Sequence, residues 1–311
     1  MERNFEYQNT RTFDRDVFNA MFRVHQALSD DDECPDRHPA HEVPCTEPAP
    51  LSVSGALAGD QFSAPIGDNS QSPAMAMCHE SSDGEIAETM DRQALDAAAH
   101  DRLSEARRLH EQAVAIRRRL LGDADPWLPQ SMTWLGNLAV LEGHLDEAQW
   151  LYTQALEIVE KRHGPEHPAR ATPLHNLAVV ARRRGDLDKA ADLYDQTLAI
   201  KLEHHGWMHP SVASTLTNLG NLAHKTGDLR AAVCYFARAR EIFEQTTGSV
   251  SPGLAAALIG LGRMHLAFGV HVSAAYMFER ALRICEAIGV TPDRLAHVRR
   301  LLASALEGTR S

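Results

Sequence analysis

The residues that look most like chemistry lie near the N terminus. Cys34-Pro-Asp-Arg-His38-Pro-Ala-His41-Glu-Val-Pro-Cys45 gathers two cysteines and two histidines within twelve residues. Thiolates and imidazoles are zinc ligands, so Cys34, His38, His41 and Cys45 form the candidate metal set. Their spacing, Cys-x3-His-x2-His-x3-Cys, matches no common finger, and prolines interrupt it. A metal-binding module at residues 34–45 is therefore kept only as an alternative function. His204, His205 and His209 cluster with Trp207 between two helical stretches. Histidine before proline is ordinary there, as in His167-Pro168 and His209-Pro210. Gly260-Leu-Gly262 falls inside a helical stretch, where a missing side chain allows close helix packing and makes no phosphate cradle. No Gly-x4-Gly-Lys-Ser/Thr, His-Glu-x2-His or Gly-x-Ser-x-Gly occurs, and no nucleophile stands beside an identifiable base. Cys234 and Cys285 fall on the expected core faces of helices and read as small hydrophobes. No catalytic residue and no cofactor is expected, and the protein reads as a non-enzyme.

The elements that position the remaining polar residues follow from a period. Alanine recurs every 42 residues at Ala106, Ala148, Ala190, Ala232 and Ala274. Isoleucine keeps the step from Ile116 to Ile284, leucine from Leu135 to Leu261, glycine from Gly143 to Gly269 and proline from Pro126 to Pro252. A fixed period of this length means stacked units that bury a face only against their neighbours. Within 168–206, Leu174, Leu177, Ala178 and Ala181 form a helical stripe. Gly185-Asp186 breaks the helix, a second helix starts at Leu187, and Gly206 ends it. Each unit is a helical hairpin, and the fold class is an all-α solenoid of stacked antiparallel helix pairs.

The pattern Leu174-x-x-Leu177-Ala178-x-x-Ala181-x-x-x-Gly185-Asp186-x-x-x-Ala190-x-x-x-Tyr194 resembles the tetratricopeptide repeat, in the 42-residue variant of kinesin light chains and many bacterial proteins. The segment His209-Pro210-Ser-Val-Ala-Ser-Thr-Leu-Thr-Asn-Leu219-Gly-Asn-Leu is similar to that variant's opening. The expected boundaries are a degenerate repeat at 86–125, full repeats at 126–167, 168–209, 210–251 and 252–291, and a capping helix at 292–308. The outer units depart from the pattern at Gln93, Asp101 and His271, as terminal units that face water do.

Stacked hairpins curve, with the first helix of each unit on the concave side. The candidate groove residues are Trp134, Asn137, His175, Asn176, Arg182, Arg183, Asn218, Asn221, Lys225 and Arg263. An idle solvated face would carry strong helix formers such as Glu and Lys. An Asn amide offers both a donor and an acceptor, which suits an extended peptide backbone. The resemblance implies the same use of groove asparagines, with basic residues on carboxylates. The expected function is a protein-interaction scaffold whose partner offers a peptide, acidic or ending in a free carboxylate. A sensory regulator answering a signalling peptide is the other alternative.

The charge is segregated. Residues 1–85 carry 16 of the 42 acidic residues and 5 of the 31 basic ones, a net −11, and the remaining 226 residues are neutral. Phosphate binding needs positive potential, so nucleic acid is not expected as a partner. Seven of the fifteen prolines fall within 30–85, which reads as an acidic, disordered linker. Ahead of it, in segment 1–29, Phe13, Val17, Met21, Val24 and Leu28 keep helical spacing and predict a short amphipathic helix on a flexible arm. The five cysteines are odd in number and irregular in spacing, unlike a disulfide framework. Met1-Glu-Arg-Asn-Phe-Glu lacks the apolar run of a signal peptide, and no stretch is apolar enough to span a membrane. The expected location is the cytoplasm. The oligomeric state is not legible.

Overall fold

A computed structural model describes residues 77–100 and 102–310. Among them are eleven α-helices and no strand. They are α1 (Met77–Ala99), α2 (Leu103–Leu120), α3 (Leu128–Leu141), α4 (Leu145–His163), α5 (Ala171–Arg184), α6 (Leu187–His205), α7 (Pro210–Lys225), α8 (Leu229–Thr246), α9 (Pro252–Ala267), α10 (His271–Ile288) and α11 (Pro292–Gly308). Helices pair in order as five hairpins, and α11 closes the end. The zinc-type cluster and the amphipathic segment 13–28 lie outside the described residues.

The boundaries follow from local chemistry. Gly185 ends α5 at φ +84°, ψ 7°, a left-handed conformation that side chains resist. There its N–H reaches the Arg182 carbonyl at 3.1 Å, and Asp186 N–H reaches that of Ala181 at 2.9 Å. Pro210 and Pro252 open α7 and α9 directly, where the missing N–H is harmless. Pro168 instead opens a 3-10 turn, Pro168–Arg170, ahead of α5, and Pro126 precedes α3. The first helix begins at Met77, not at 86, so it takes in residues whose composition reads as linker. Asp83, in that extension, pairs with Arg119 of α2 at 2.9 Å.

The core explains the period. Ala106, Ala148, Ala190, Ala232 and Ala274 are all fully buried, as are Tyr152, Tyr194, Phe236 and Phe278, which form a second column. These rings fill space that glycine leaves open. A Cβ added at Gly136 would stand 2.6 Å from the Tyr152 ring, and one at Gly262 would stand 2.5 Å from that of Phe278. Phe236 is enclosed on two sides, by Gly220 of its own hairpin and Gly260 of the next. On the inner face of α11, Ala305 joins the core of Ala274 and Phe278, and Val298 joins that of Ala281, Ile284 and Cys285, so the helix seals the last hairpin from water. Cys285 is buried, whereas Cys234 is exposed and does not serve the core. Its 42-step relatives Trp150, Asp192 and Tyr276 are exposed as well.

Candidate functional site: the first-helix face and the joints beneath it

The ten candidate groove residues lie on the first helices α3, α5, α7 and α9. Not all of them are open. His175, Asn176, Arg182 and Asn218 are buried, with Asn218 only 1% exposed and Arg182 2%. Trp134, Asn137, Arg183, Asn221 and Arg263 are half-buried, and Lys225 is exposed.

The buried members link successive hairpins. Asn176 Nδ2 donates to Asn137 Oδ1 at 3.3 Å, across 39 residues. Asn218 Nδ2 lies 3.1 Å from His175 Nε2, across 43. His175 also meets the Tyr194 ring edge-on, with centroids 5.5 Å apart. Arg183 donates to the Val140 carbonyl at 3.1 Å. Arg182 interacts with Tyr194, whose hydroxyl is pushed up to about 12 by burial despite that cation. Trp134 stacks on His110 of α2 at 5.5 Å. The Asn176 and Asn218 amides thereby find partners that water no longer supplies, whereas the Trp134 indole N–H is buried without a hydrogen-bond acceptor among the described residues.

The open remainder is rich in donors. Asn137 Oδ1 already accepts from Asn176 and from the Tyr152 hydroxyl, the latter at 2.7 Å. Its Nδ2–H groups are what it can offer a ligand. Asn221 and Lys225 lie one helical turn apart, on a face that Arg183 and Arg263 continue. This strip can hold carbonyl and carboxylate oxygens.

Beneath the face, the joints between hairpins differ in kind. Four side chains form a buried network at the first joint. Asp91 of α1 accepts from Ser131 Oγ at 2.6 Å, from Arg117 at 3.2 Å and from His110 Nδ1 at 2.8 Å. Arg117 Nε also donates to Ser131 Oγ at 3.1 Å, and its other arm lies 3.5 Å from Asp125. At the third joint Lys201, one period-pair beyond Arg117, donates to Thr215 Oγ1 at 2.9 Å and to the Ser211 carbonyl at 3.2 Å. The second and fourth joints carry Val159 with Pro173 and Phe243 with Ala257 at the same places. Sequence reasoning missed this network. The signal was there, because Arg117 and Lys201 interrupt a column otherwise filled by Val159, Phe243 and Cys285.

Burial lowers the Lys201 ammonium from 10.5 to about 8. The fold therefore favours the neutral amine, and its contribution to stability is full above pH 10.5 and lost as pH falls through 8. Removing the charge should stabilise the protein at pH 7. In Lys201→Met, Thr215 Oγ1 still donates to the Ser211 carbonyl at 3.2 Å, so no acceptor is stranded. The expected gain is about 1–3 kcal/mol at pH 7, shrinking between pH 8 and 10.5. Urea unfolding at pH 7 and pH 10 measures both, and a variant less stable at pH 7 would refute the assignment.

Among the described residues, no group of three or more His, Cys, Asp or Glu side chains is placed to hold a metal ion. No helix there is long and apolar enough to cross a membrane.

The comparisons agree with this architecture. The sequence profile of the tetratricopeptide repeat matches residues 85–161, 129–203 and 209–287. The crystal structure of BtubC (BKLC) from P. vanneervenii is similar at 24% identity and TM-score 0.54, covering 70% of this chain and 94% of that one. A crystal structure of Podosopora anserina putative kinesin light chain TPR-like repeats is similar at 26% identity and TM-score 0.50, covering 67% and 94%. The APC/C hetero-tetramer Cut9-Hcn1 shares the fold at 19% identity and TM-score 0.55, over 73% of this chain and 37% of that one. No curated protein matches the chain in sequence.

Proposed function

Because the chain belongs to the tetratricopeptide repeat family, we propose that it is a protein-interaction scaffold that holds a peptide segment of its partner along the open strip of the first-helix face. The carrying observation is the donor bias of that strip. Asn137 has its amide oxygen occupied from within the protein, and Lys225 stands exposed beside Asn221. A ligand must bring acceptors, which an extended backbone and an acidic side chain or terminal carboxylate supply. The buried candidates His175, Asn176, Arg182 and Asn218 act at one remove, by fixing the spacing of the helices that carry the strip.

A scaffold of this kind needs no reaction of its own. It suits a reducing compartment such as the cytoplasm, in keeping with the free thiols of Cys234 and Cys285. The test uses the full chain against a displayed library of acidic peptides with free C termini. Lys225→Glu and Asn221→Ala should each weaken the selected peptides, by about tenfold for the charge reversal. Affinities unchanged in both variants would move binding off this face and end the reading.

A further inference from the structure

The residue that caps each joint occupies one column at the 42-residue step: Asp125, His167, His209 and Ser251. Asp125 accepts the N–H groups of Trp127 and Leu128 at 2.7 and 3.0 Å. Ser251 Oγ accepts that of Leu254 at 3.2 Å. Between them the cap is an imidazole. His167 Nδ1 accepts from Ala169 N–H at 3.2 Å. His209 Nδ1 accepts from Ser211 N–H at 3.2 Å and lies 2.7 Å from Ser211 Oγ.

These caps differ in one property. A hydroxyl keeps its lone pairs at any ordinary pH, and a carboxylate keeps its own down to about pH 4. An imidazole surrenders the Nδ1 lone pair on protonation, in the range pH 5–8. Each capping histidine also stacks on another four residues before it, across a loop that Gly164 or Gly206 opens. The centroids are 4.3 Å apart in both His163–His167 and His205–His209.

The two histidine joints are not equivalent. Around His167 the Glu160–Arg170 pair, at 2.7 Å, balances its own charge. Around His209, α6 contributes Lys201 and His205, with Glu203 and His204 exposed on the same turn. From α8 comes Arg238, over Trp207 at 5.8 Å and paired with Glu241 at 2.7 Å. The first turns of α7 offer only the hydroxyls of Ser211, Ser214 and Thr215. Ser211 thus takes contacts from two basic groups, His209 through its N–H and hydroxyl and Lys201 through its carbonyl.

We infer that the joint between α6 and α7 is an acid-sensitive hinge: protonation of the His205–His209 pair uncaps α7 beside the Lys201 ammonium and loosens the stack at its middle, while the aspartate- and serine-capped joints hold. The Asn218–His175 link crosses this same joint, so the spacing of the first-helix face changes with it.

Hydrogen exchange of the full chain at pH 7.5 and 5.5, corrected for intrinsic rates, tests this. Protection of the Ser211–Ala213 amides should fall about fivefold on acidification, the scale of a lost cap, while that of Leu254 and Ala255 stays. His209→Asp installs the cap used at Asp125 and should abolish the loss. His209→Ser, copying Ser251, gives a second route if the first variant misfolds. Equal losses at all four joints, no loss in the natural chain, or an undiminished loss in the capped variants would overturn the inference.

Discussion

Asp91→Ala should release the first hairpin from the rest of the solenoid. Asp91 is 3% exposed and is the shared acceptor for Ser131, Arg117 and His110. Its loss leaves the Arg117 guanidinium enclosed, with Asp125 at 3.5 Å as the remaining opposite charge among the described residues. Breaking a buried pair from one side costs about 3–5 kcal/mol, because the surviving charge keeps its desolvation penalty. In a stack of nearest neighbours the cost falls on one joint and does not spread evenly. Exchange protection should therefore collapse in α1 and α2 and persist from α5 to α10. A variant that keeps protection in α1 would refute the role given to Asp91. The second joint suggests the control. Asp91→Thr, His110→Tyr, Arg117→Val and Ser131→Ala together copy an apolar joint and should recover most of the loss, since buried ion pairs are often replaceable as a set.

The second large effect concerns Phe236. Its ring is 1% exposed, and an added Cβ would stand 2.8 Å away at Gly220 and 2.5 Å away at Gly260. Phe236→Ala should cost about 3–5 kcal/mol through lost burial and the cavity it leaves. Gly260→Ala should cost about 1–3 kcal/mol, although alanine is by itself the better helix former. The two are coupled through the same space. Once the ring is gone, the added methyl has room, and Gly260→Ala should become neutral or stabilising. Urea unfolding of the four proteins in this cycle gives the coupling. A Gly260→Ala that is neutral in the natural chain would show that the backbone gives way, and that the glycine is not there for the ring.

That glycine was legible. Gly260 and Gly262 sit in a helical stretch with no turn partner, and close packing was the physical reading of them. The hairpins, the break at Gly185 and the capping helix were legible as well, because one period repeats the same compromise between burial and turn chemistry. The helix start was less so, since the polar composition before residue 86 masks the turns that Asp83 and Arg119 pin. The groove was legible as a face but not residue by residue. Whether an asparagine on a first helix points to water or to the next hairpin depends on the rotation between units, which no single unit encodes. Asn176 and Asn218 turn inward to Asn137 and His175, and Asn221, one turn on, stays half-open. The exposure of Cys234 was missed, though Trp150, Asp192 and Tyr276 at its column position carried the signal.

The alternation of joints bears on how the chain finds its own order. Five hairpins share the alanine column and four of them the aromatic one, so a newly made chain could dock the wrong pair or trade hairpins with a second copy. The joint residues remove that freedom. Arg117 is buried at least cost where Asp91 and Ser131 meet it, and the penalty on the Lys201 ammonium is smallest where Thr215 offers a hydroxyl. Seated against Pro173 or Ala257, either cation would lose its partners, while Phe243 brought against Asp91 would strand a carboxylate. Each misdocked arrangement thus buries a charge without an answer, which gives the hairpins addresses within a sequence that otherwise repeats itself.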